Sequence, residues 1–194
     1  MWPAKLSARR ICEVTDASVS GKIWILSDGK GRLIENIDTD QIYHNSHLHI
    51  TEKEKMGEYT FGNLEGWKDF PKKSSPGDIL VVGRNFGAGS SRQQAVDCFS
   101  SLKIGAILSP SFGAIYFRNA INSGFPVLRS SAIAQLVEER KIETGYEIQV
   151  DFVSGKANVI NKNISFHIRP MSDVQHEIYL VGGLYNYGKT WDQD

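Results

Sequence analysis

The densest run of residues able to do chemistry is Gly83-Arg84-Asn85-Phe86-Gly87-Ala88-Gly89-Ser90-Ser91-Arg92. Three glycines within seven positions release the backbone for φ > 0 and let a ligand approach the main chain. Ser90 and Ser91 then open a stretch in which Ala95, Val96, Cys98, Phe99 and Leu102 recur at helical spacing, predicting a helix from Ser90 to Lys103 that stops at Gly105. Free N–H groups and the dipole at such a helix start favour an anion. Arg92 adds a planar guanidinium suited to a carboxylate or phosphate. The local physics therefore points to an anion site at Gly89, Ser90, Ser91 and Arg92; an ordinary glycine turn with Ser90 or Ser91 as helix cap accounts for the same residues. Two familiar phosphate loops do not fit. No lysine stands between Gly89 and Ser90 as the Walker pattern requires, and Arg92 occupies the place of the third glycine of a dinucleotide fingerprint.

The elements that must position this loop follow from periodicity. Asp78-Ile79-Leu80-Val81-Val82 reads as a buried strand leading into it. Ala106-Ile107-Leu108 is the next strand, Ala114 to Asn122 a helix stopped at Gly124, and Pro126-Val127-Leu128 a further strand. Strand, helix, strand, helix, strand with short connections predicts parallel pairing through right-handed crossovers. Upstream, Gly21 to Leu26 is a strand closed by the turn-rich Ser27 to Gly31. Residues 36–50 read as a polar loop and 51–76 as a charged segment running over the surface, with 43–62 mobile until a substrate or partner arrives. Downstream, Ser131 to Lys141 suggests a helix, and Glu147 to Val153 with Ala157 to Ile160 a hairpin. Residues 1–20 lack periodicity and read as an N-terminal extension to one domain over 21–194.

Composition removes several classes of function. The 22 basic and 22 acidic residues balance, whereas holding nucleic acid by phosphate neutralisation needs a basic excess. No apolar run reaches the ~20 residues of a membrane span, and Met1 to Ser20 lacks the apolar core of a secretory signal. A soluble cytoplasmic protein is expected. Cys12 and Cys98 are too few for a disulfide framework, a structural zinc or an iron–sulfur cluster.

The run Gly83 to Arg92 resembles the G-x-N-F-G-x-G-S-S-R signature of the small subunit of 3-isopropylmalate dehydratase, and is similar to the mobile fourth domain of aconitase. The resemblance extends through Gly21-Lys22-Ile23-Trp24, Asn36 to Ile42, Ser109-Pro110-Ser111-Phe112, Phe117 to Asn122 with Gly124, and Gly182 to Tyr187. It implies an α/β swivelling β/β/α domain, with a parallel or mixed sheet flanked by helices and a barrel-like β element from the N- and C-terminal strands. It also implies a hydro-lyase that isomerises 2-isopropylmalate and 3-isopropylmalate by removing and re-adding water in leucine biosynthesis. Carried over residue by residue, Ser90 is the base, Arg92 binds a substrate carboxylate, and Ser91 helps hold the site. The family's 4Fe-4S cluster needs three cysteines, so this chain binds no cofactor itself and a cluster-bearing large subunit is the expected partner.

Departures from the pattern qualify the expected activity. Relatives often carry a Cys in the glycine turn and Glu-His after the arginine, where this chain has Ala88 and Gln93-Gln94. Substrate choice falls partly to the loop after Asp38-Thr39-Asp40, here Tyr43 to Ile50, which holds no arginine for an extra carboxylate. Leu48 and Ile50 suit an alkyl group, and His47 or His49 can receive an anion if protonated. Homoaconitate, citrate or dimethylmalate as substrate, and a non-catalytic anion-binding module, are the alternatives. Asp38 and Asp40 read more simply as turn and cap residues than as a catalytic pair. Arg118 can bind substrate or hold a backbone carbonyl and reads more simply as structural, and Trp24, Phe112, Tyr116 and Phe117 read as core or subunit interface. Glu52 to Lys55 reads as a solvated face.

Overall fold

The computed structural model describes residues 17–160 and 162–191. In chain order the strands are β1 (Ser18–Ile25), β2 (Ile79–Val81), β3 (Ala106–Ser109), β4 (Val127–Arg129), β5 (Glu147–Asp151), β6 (Lys156–Val159) and β7 (Ile164–His167). The helices are α1 (Thr39–Ile42), α2 (Lys53–Met56), α3 (Phe70–Lys73), α4 (Gln94–Ser101), α5 (Ala114–Asn122), α6 (Ile133–Glu138), α7 (Asp173–Leu180) and α8 (Leu184–Lys189). The strands form a seven-stranded sheet ordered β4-β3-β2-β1-β5-β6-β7. β4 to β1 pair in parallel, as the crossover pattern predicts, and β1, β5, β6 and β7 pair antiparallel.

Burial differs between the two halves for a physical reason. β2 and β3 are buried at every position because crossover helices and the outer sheet cover both faces. β5 and β6 alternate exposed and buried, as one-faced antiparallel strands do. Along β2, Ile79 and Val81 enter one core with Ala106, Leu108, Ile148, Val150 and the α6 residues Ile133 and Val137. Leu80 and Val82 enter the other, with Ile107 and the aromatics Phe86, Phe99, Phe61 and Phe70. The sheet curls until its ends meet. The Arg169 N–H donates to the Arg129 carbonyl at 2.7 Å, and the Ser130 hydroxyl donates to the His167 carbonyl at 2.8 Å. The expected barrel-like element is therefore this curl of β1 and β5–β7 around the second core, the one that Ile79 and Val81 enter, and the chain's last described elements are the helices α7 and α8 rather than strands.

Three expectations need correction. Within the extension expected over residues 1–20, β1 already begins at Ser18, whose partner in β5 is Asp151; residues 1–16, Cys12 among them, lie outside the described residues. The segments 36–50 and 51–76 do not run over the surface. They bury Ile37, Ile42, Tyr43, Met56, Phe61, Leu64 and Phe70 in the aromatic core. Their apolar residues stand singly among lysines and glutamates on helices of a single turn, too short to show a period. The helix expected from Ser90 begins only at Gln94. Trp24, read as core or interface, packs half-buried against the aromatic core as expected; its Nε1 donates to Asp78 at 2.7 Å and its ring meets Phe70 edge-on at 5.6 Å.

Phe61 is fully buried, edge-on to both Phe70 and Phe99 at 5.4 Å. Phe61→Ala is expected to cost about 3–5 kcal/mol in urea unfolding. A cost below about 1 kcal/mol, typical of surface positions, would show that this segment is not part of the core.

Candidate active site

The glycine loop leaves the carboxyl end of β2, the rim at which open α/β sheets bind ligands. Phe86 anchors it, 1% exposed, with Tyr116 edge-on at 5.4 Å and Phe99 at 6.2 Å. The next residue, Gly87, has φ +75°, and a Cβ there would stand 2.2 Å from the Tyr116 ring, so only glycine fits. Backbone bonds clamp the loop from both sides. Gly87 N–H donates to the Ile37 carbonyl at 2.7 Å, Thr39 N–H to the Ala88 carbonyl at 2.9 Å, and Gly113 N–H to the Phe86 carbonyl at 2.9 Å. The side chain of Asn85 reaches Asn36 at 3.0 Å, both residues having left-handed backbone.

This clamp presents Ser90, Ser91 and Arg92. Gly89, at φ +92°, turns the chain, and the Thr39 hydroxyl holds the Ser90 carbonyl at 2.9 Å. The Ser90 side chain is exposed and its hydroxyl makes no hydrogen bond among the described residues. Ser91 is exposed too, its hydroxyl accepting from Asn119 Nδ2 at 3.3 Å. Neither serine caps the helix. Gln93 is the residue at the N-cap, without a side-chain cap bond, because Gln93 turns instead to Ser123 Oγ at 2.7 Å and Asp97 at 3.3 Å. The backbone N–H groups of Ser90, Ser91 and Arg92 have no acceptor among the described residues. The loop is thus a cluster of free donors.

Arg92 is 15% exposed, and its Nη1 donates to Asp40 and, at 3.1 Å, to the Tyr43 carbonyl. Its Nε and Nη2 have no partner among the described residues and are open to a carboxylate. Asp40 also accepts from Asn45 N–H at 3.1 Å and Asn63 Nδ2 at 3.2 Å. The Arg92 hydrogen bond, opposed by burial, holds the Asp40 carboxyl below its ordinary range. Asp38 caps α1 in a reciprocal box with Gln41, at 2.8 and 3.0 Å, as the turn-and-cap reading expects.

His47 and Leu48 sit on the loop tied to Arg92 through Tyr43, whose hydroxyl donates to the His47 carbonyl at 3.2 Å. No hydrogen bond or ring contact joins His47 to Ser90, Ser91 or Arg92 among the described residues. Its ring stacks on Tyr59 at 4.2 Å, and burial, then His44 and His49, lower its pKa, which disfavours the charged form that receiving an anion would need. Leu48 is 37% exposed, while Ile50 packs against the aromatic core. Arg118 is exposed and makes no hydrogen bond or ion pair among the described residues, contrary to the expected carbonyl contact. Three contributors escaped sequence reasoning: Asn119 on Ser91, Tyr43 on Arg92, and Asp40 as the partner of Arg92. Each belongs to a stretch already singled out, but their partners lie 28 to 52 positions away in the chain.

No trio of His, Cys, Asp or Glu among the described residues can hold a metal ion. Cys98 is fully buried and burial pushes its thiol up to about 12, so it supplies no thiolate. The described residues do not fit a 4Fe-4S cluster.

The Asp40–Arg92 pair has a pH signature. A carboxyl held low in the folded state contributes stability above its unfolded pKa and loses it as pH falls through the folded value. Wild type is expected to exceed Asp40→Asn in urea midpoint at pH 6, with the gap closing between about pH 5 and pH 2. An unchanged gap across that range would show that the ion pair carries none of it.

A family model for the aconitase C-terminal domain matches residues 30–132. The chain is 33% identical to the 3-isopropylmalate dehydratase small subunit of Aliarcobacter butzleri, covering 89% of this chain and 95% of that one. It is 36% identical to 3-isopropylmalate dehydratase small subunit 1 of Archaeoglobus fulgidus, over 88% and 96%. The fold superposes on the crystal structure of a 3-isopropylmalate dehydratase from Methanocaldococcus jannaschii with a TM-score of 0.76 at 28% identity, covering 90% and 95% of the two chains. A mixed sheet curled between helices, a serine–arginine loop at the carboxyl end of β2, and likeness along nearly the full length of these relatives agree: the chain belongs to the family of 3-isopropylmalate dehydratase small subunits, built on the aconitase C-terminal domain.

Proposed function

We propose that this chain is the catalytic small subunit of a hydro-lyase interconverting 2-isopropylmalate and 3-isopropylmalate, acting in leucine biosynthesis in the cytoplasm with a cluster-bearing large subunit. The observation that carries the reading is the pairing of an exposed, unbonded Ser90 hydroxyl with an Arg92 that keeps two nitrogens free. Arg92 takes a substrate carboxylate on Nε and Nη2, while Asp40 and the Tyr43 carbonyl fix its fork from behind. Ser90, as alkoxide, removes the proton from the carbon beside a carboxylate. The hydroxyl on the neighbouring carbon leaves with its bonding electrons as hydroxide, a double bond forms, and the hydroxide with the proton taken up by Ser90 makes up the water that is lost, returning Ser90 to its starting state. Re-addition with exchanged positions gives the isomer.

A free hydroxyl is a poor base, so the alkoxide must be stabilised where it forms. The unpaired N–H groups of Ser90, Ser91 and Arg92, with the Arg92 charge, are the donors for that task. Ser91 is oriented by Asn119 and holds the turn in place. No ligand set for a 4Fe-4S cluster stands among the described residues, so the cluster would be held by the large subunit, where it would supply Lewis-acid chemistry. Leu48 supports an alkyl-substituted malate, since it is exposed and no arginine stands between Tyr43 and Ile50. No helix among the described residues is long and apolar enough to cross a membrane.

The test is anaerobic turnover by the chain mixed with its cluster-loaded large subunit, using 2-isopropylmalate beside citrate, homoaconitate and 2,3-dimethylmalate. Isopropylmalate is expected to be the best substrate, and Ser90→Ala to lower kcat by roughly 10²–10⁴-fold with the melting temperature unchanged. Arg92→Lys, which keeps the charge and loses the fork, is expected to lower kcat/KM by ~10- to 100-fold. No turnover in any mixture with an intact cluster would sink the catalytic reading in favour of an anion-binding module. A preference for another of the acids would move the chain to a related hydro-lyase.

A further inference from the structure

A cavity of about 580 Å³ lies where the two ends of the curled sheet meet, bounded by β4, α5 and the start of α7. Its size falls within the ~300–1,000 Å³ of small-molecule sites. Phe117, Val127, Leu128 and Met171 give it apolar walls, and Arg129 and Arg169 bring the only charges that line it. The two arginines are held together by the backbone, Arg169 N–H donating to the Arg129 carbonyl at 2.7 Å. Arg129 ends β4 and Arg169 lies two residues beyond β7, so the closure of the sheet brings two positive side chains to one cavity. Neither arginine has an ion pair among the described residues, and Asp173 in the first turn of α7 pairs with neither.

Arg129 is the more enclosed of the two. Its Nε is buried and has no hydrogen-bond partner, although buried guanidinium groups are normally satisfied. The guanidinium lies 4.3 Å above the Phe117 ring, which offsets the charge and gives the nitrogen no acceptor. Gln175 adds a donor: its Oε1 serves the α7 capping box, and its amide nitrogen has no partner among the described residues. A narrower apolar recess lined by Ile121, Phe125 and Tyr179 adjoins the cavity through Val127, Met171 and Gln175.

We propose that this cavity binds a small carboxylate with an apolar body, its carboxylate taken by Arg129 and Arg169 and its body lying along Phe117, Leu128 and Met171. An anion there pairs with the terminal guanidinium nitrogens of Arg129 and Arg169, which have no partner among the described residues, and explains apolar walls that a purely ionic site does not need. The site is separate from Arg92, which Asp40 already neutralises in part. α5 faces both places, through Asn119 on Ser91 and Phe117 in the cavity.

The experiment is calorimetric titration of the full chain with sodium isovalerate, and with inorganic phosphate for comparison. Saturable isovalerate binding is expected, at least tenfold tighter than phosphate, weakened at least tenfold by Arg129→Gln and by Arg169→Gln and unchanged by Arg92→Gln. Arg169 is exposed, so Arg169→Gln tests the site even if Arg129→Gln unfolds. Binding lost only in Arg92→Gln, or no saturable binding, would overturn the proposal, and phosphate binding as tight as isovalerate would overturn the apolar-body assignment. The titration is repeated on the chain assembled with its large subunit. Retained binding supports a free ligand; binding abolished there, with assembly weakened tenfold by Arg169→Gln, would assign the arginines to an acidic side chain of the partner and overturn the proposal.

Discussion

The site depends on the pairing of residues 36–39 with the glycine loop. An open loop carrying free N–H donors is normally mobile, because water satisfies its backbone equally well in many conformations. Here Gly87 N–H on the Ile37 carbonyl and Thr39 N–H on the Ala88 carbonyl fix one side. Phe86, locked between Tyr116 and Phe99, fixes the other. The donors of Ser90, Ser91 and Arg92 stay free because the residues just before them have spent their bonds on the clamp. The absence of a Cβ at Gly87 is what lets Tyr116 close over the loop. That constraint reaches Arg92 as well, since α1, which the clamped segment opens, carries Asp40.

Much of this was legible in the chain, and its limits were physical. The parallel half, β2 through β4 with α5, was readable because buried strands and an amphipathic helix leave strong periods. The free donors of the serine–arginine turn follow from glycine spacing and residue type. Residues 51–76 were misread because Met56, Phe61, Leu64 and Phe70 are single apolar residues among charges, and only tertiary packing joins them into one face. The helix start was misplaced by four residues because serines suggest a cap, whereas Gln93 is drawn to Ser123 on α5. The same contact gives the Gln93 departure a place: it joins α4 to α5 and leaves the serines alone. Arg118 was expected to hold a carbonyl and holds none, and no periodicity reports where an exposed side chain ends.

The arginines divide by what surrounds them. Arg92 has a carboxylate and a carbonyl on one nitrogen and two nitrogens left over, so it is oriented but not consumed. Arg84 and Arg32 pair with Glu35 and Asp28 on the open surface, where such pairs contribute little. Arg129 and Arg169 have neither arrangement, although the closure of the sheet brings them together. The same closure that completes the second core therefore creates the cavity, and the chemistry at that seam follows from topology more than from any local motif.

The exposure of Ser90 bears on what the isolated chain can do. Hydrogen bonds and charge stabilise a developing alkoxide strongly only where water is excluded; in bulk water the same donors compete with solvent and gain little. The Ser90 hydroxyl and the free face of Arg92 lie open at the rim of the sheet. Asp40 stays ionised beside Arg92 and partly offsets its charge, which further limits what an uncovered site achieves. The groups are pre-oriented by the clamp, so covering them requires no rearrangement of the loop, only a second surface that brings substrate and removes water. The geometry here is thus complete in orientation and incomplete in environment, and a partner surface that excludes water is what the proposed division of the reaction centre between two chains would add.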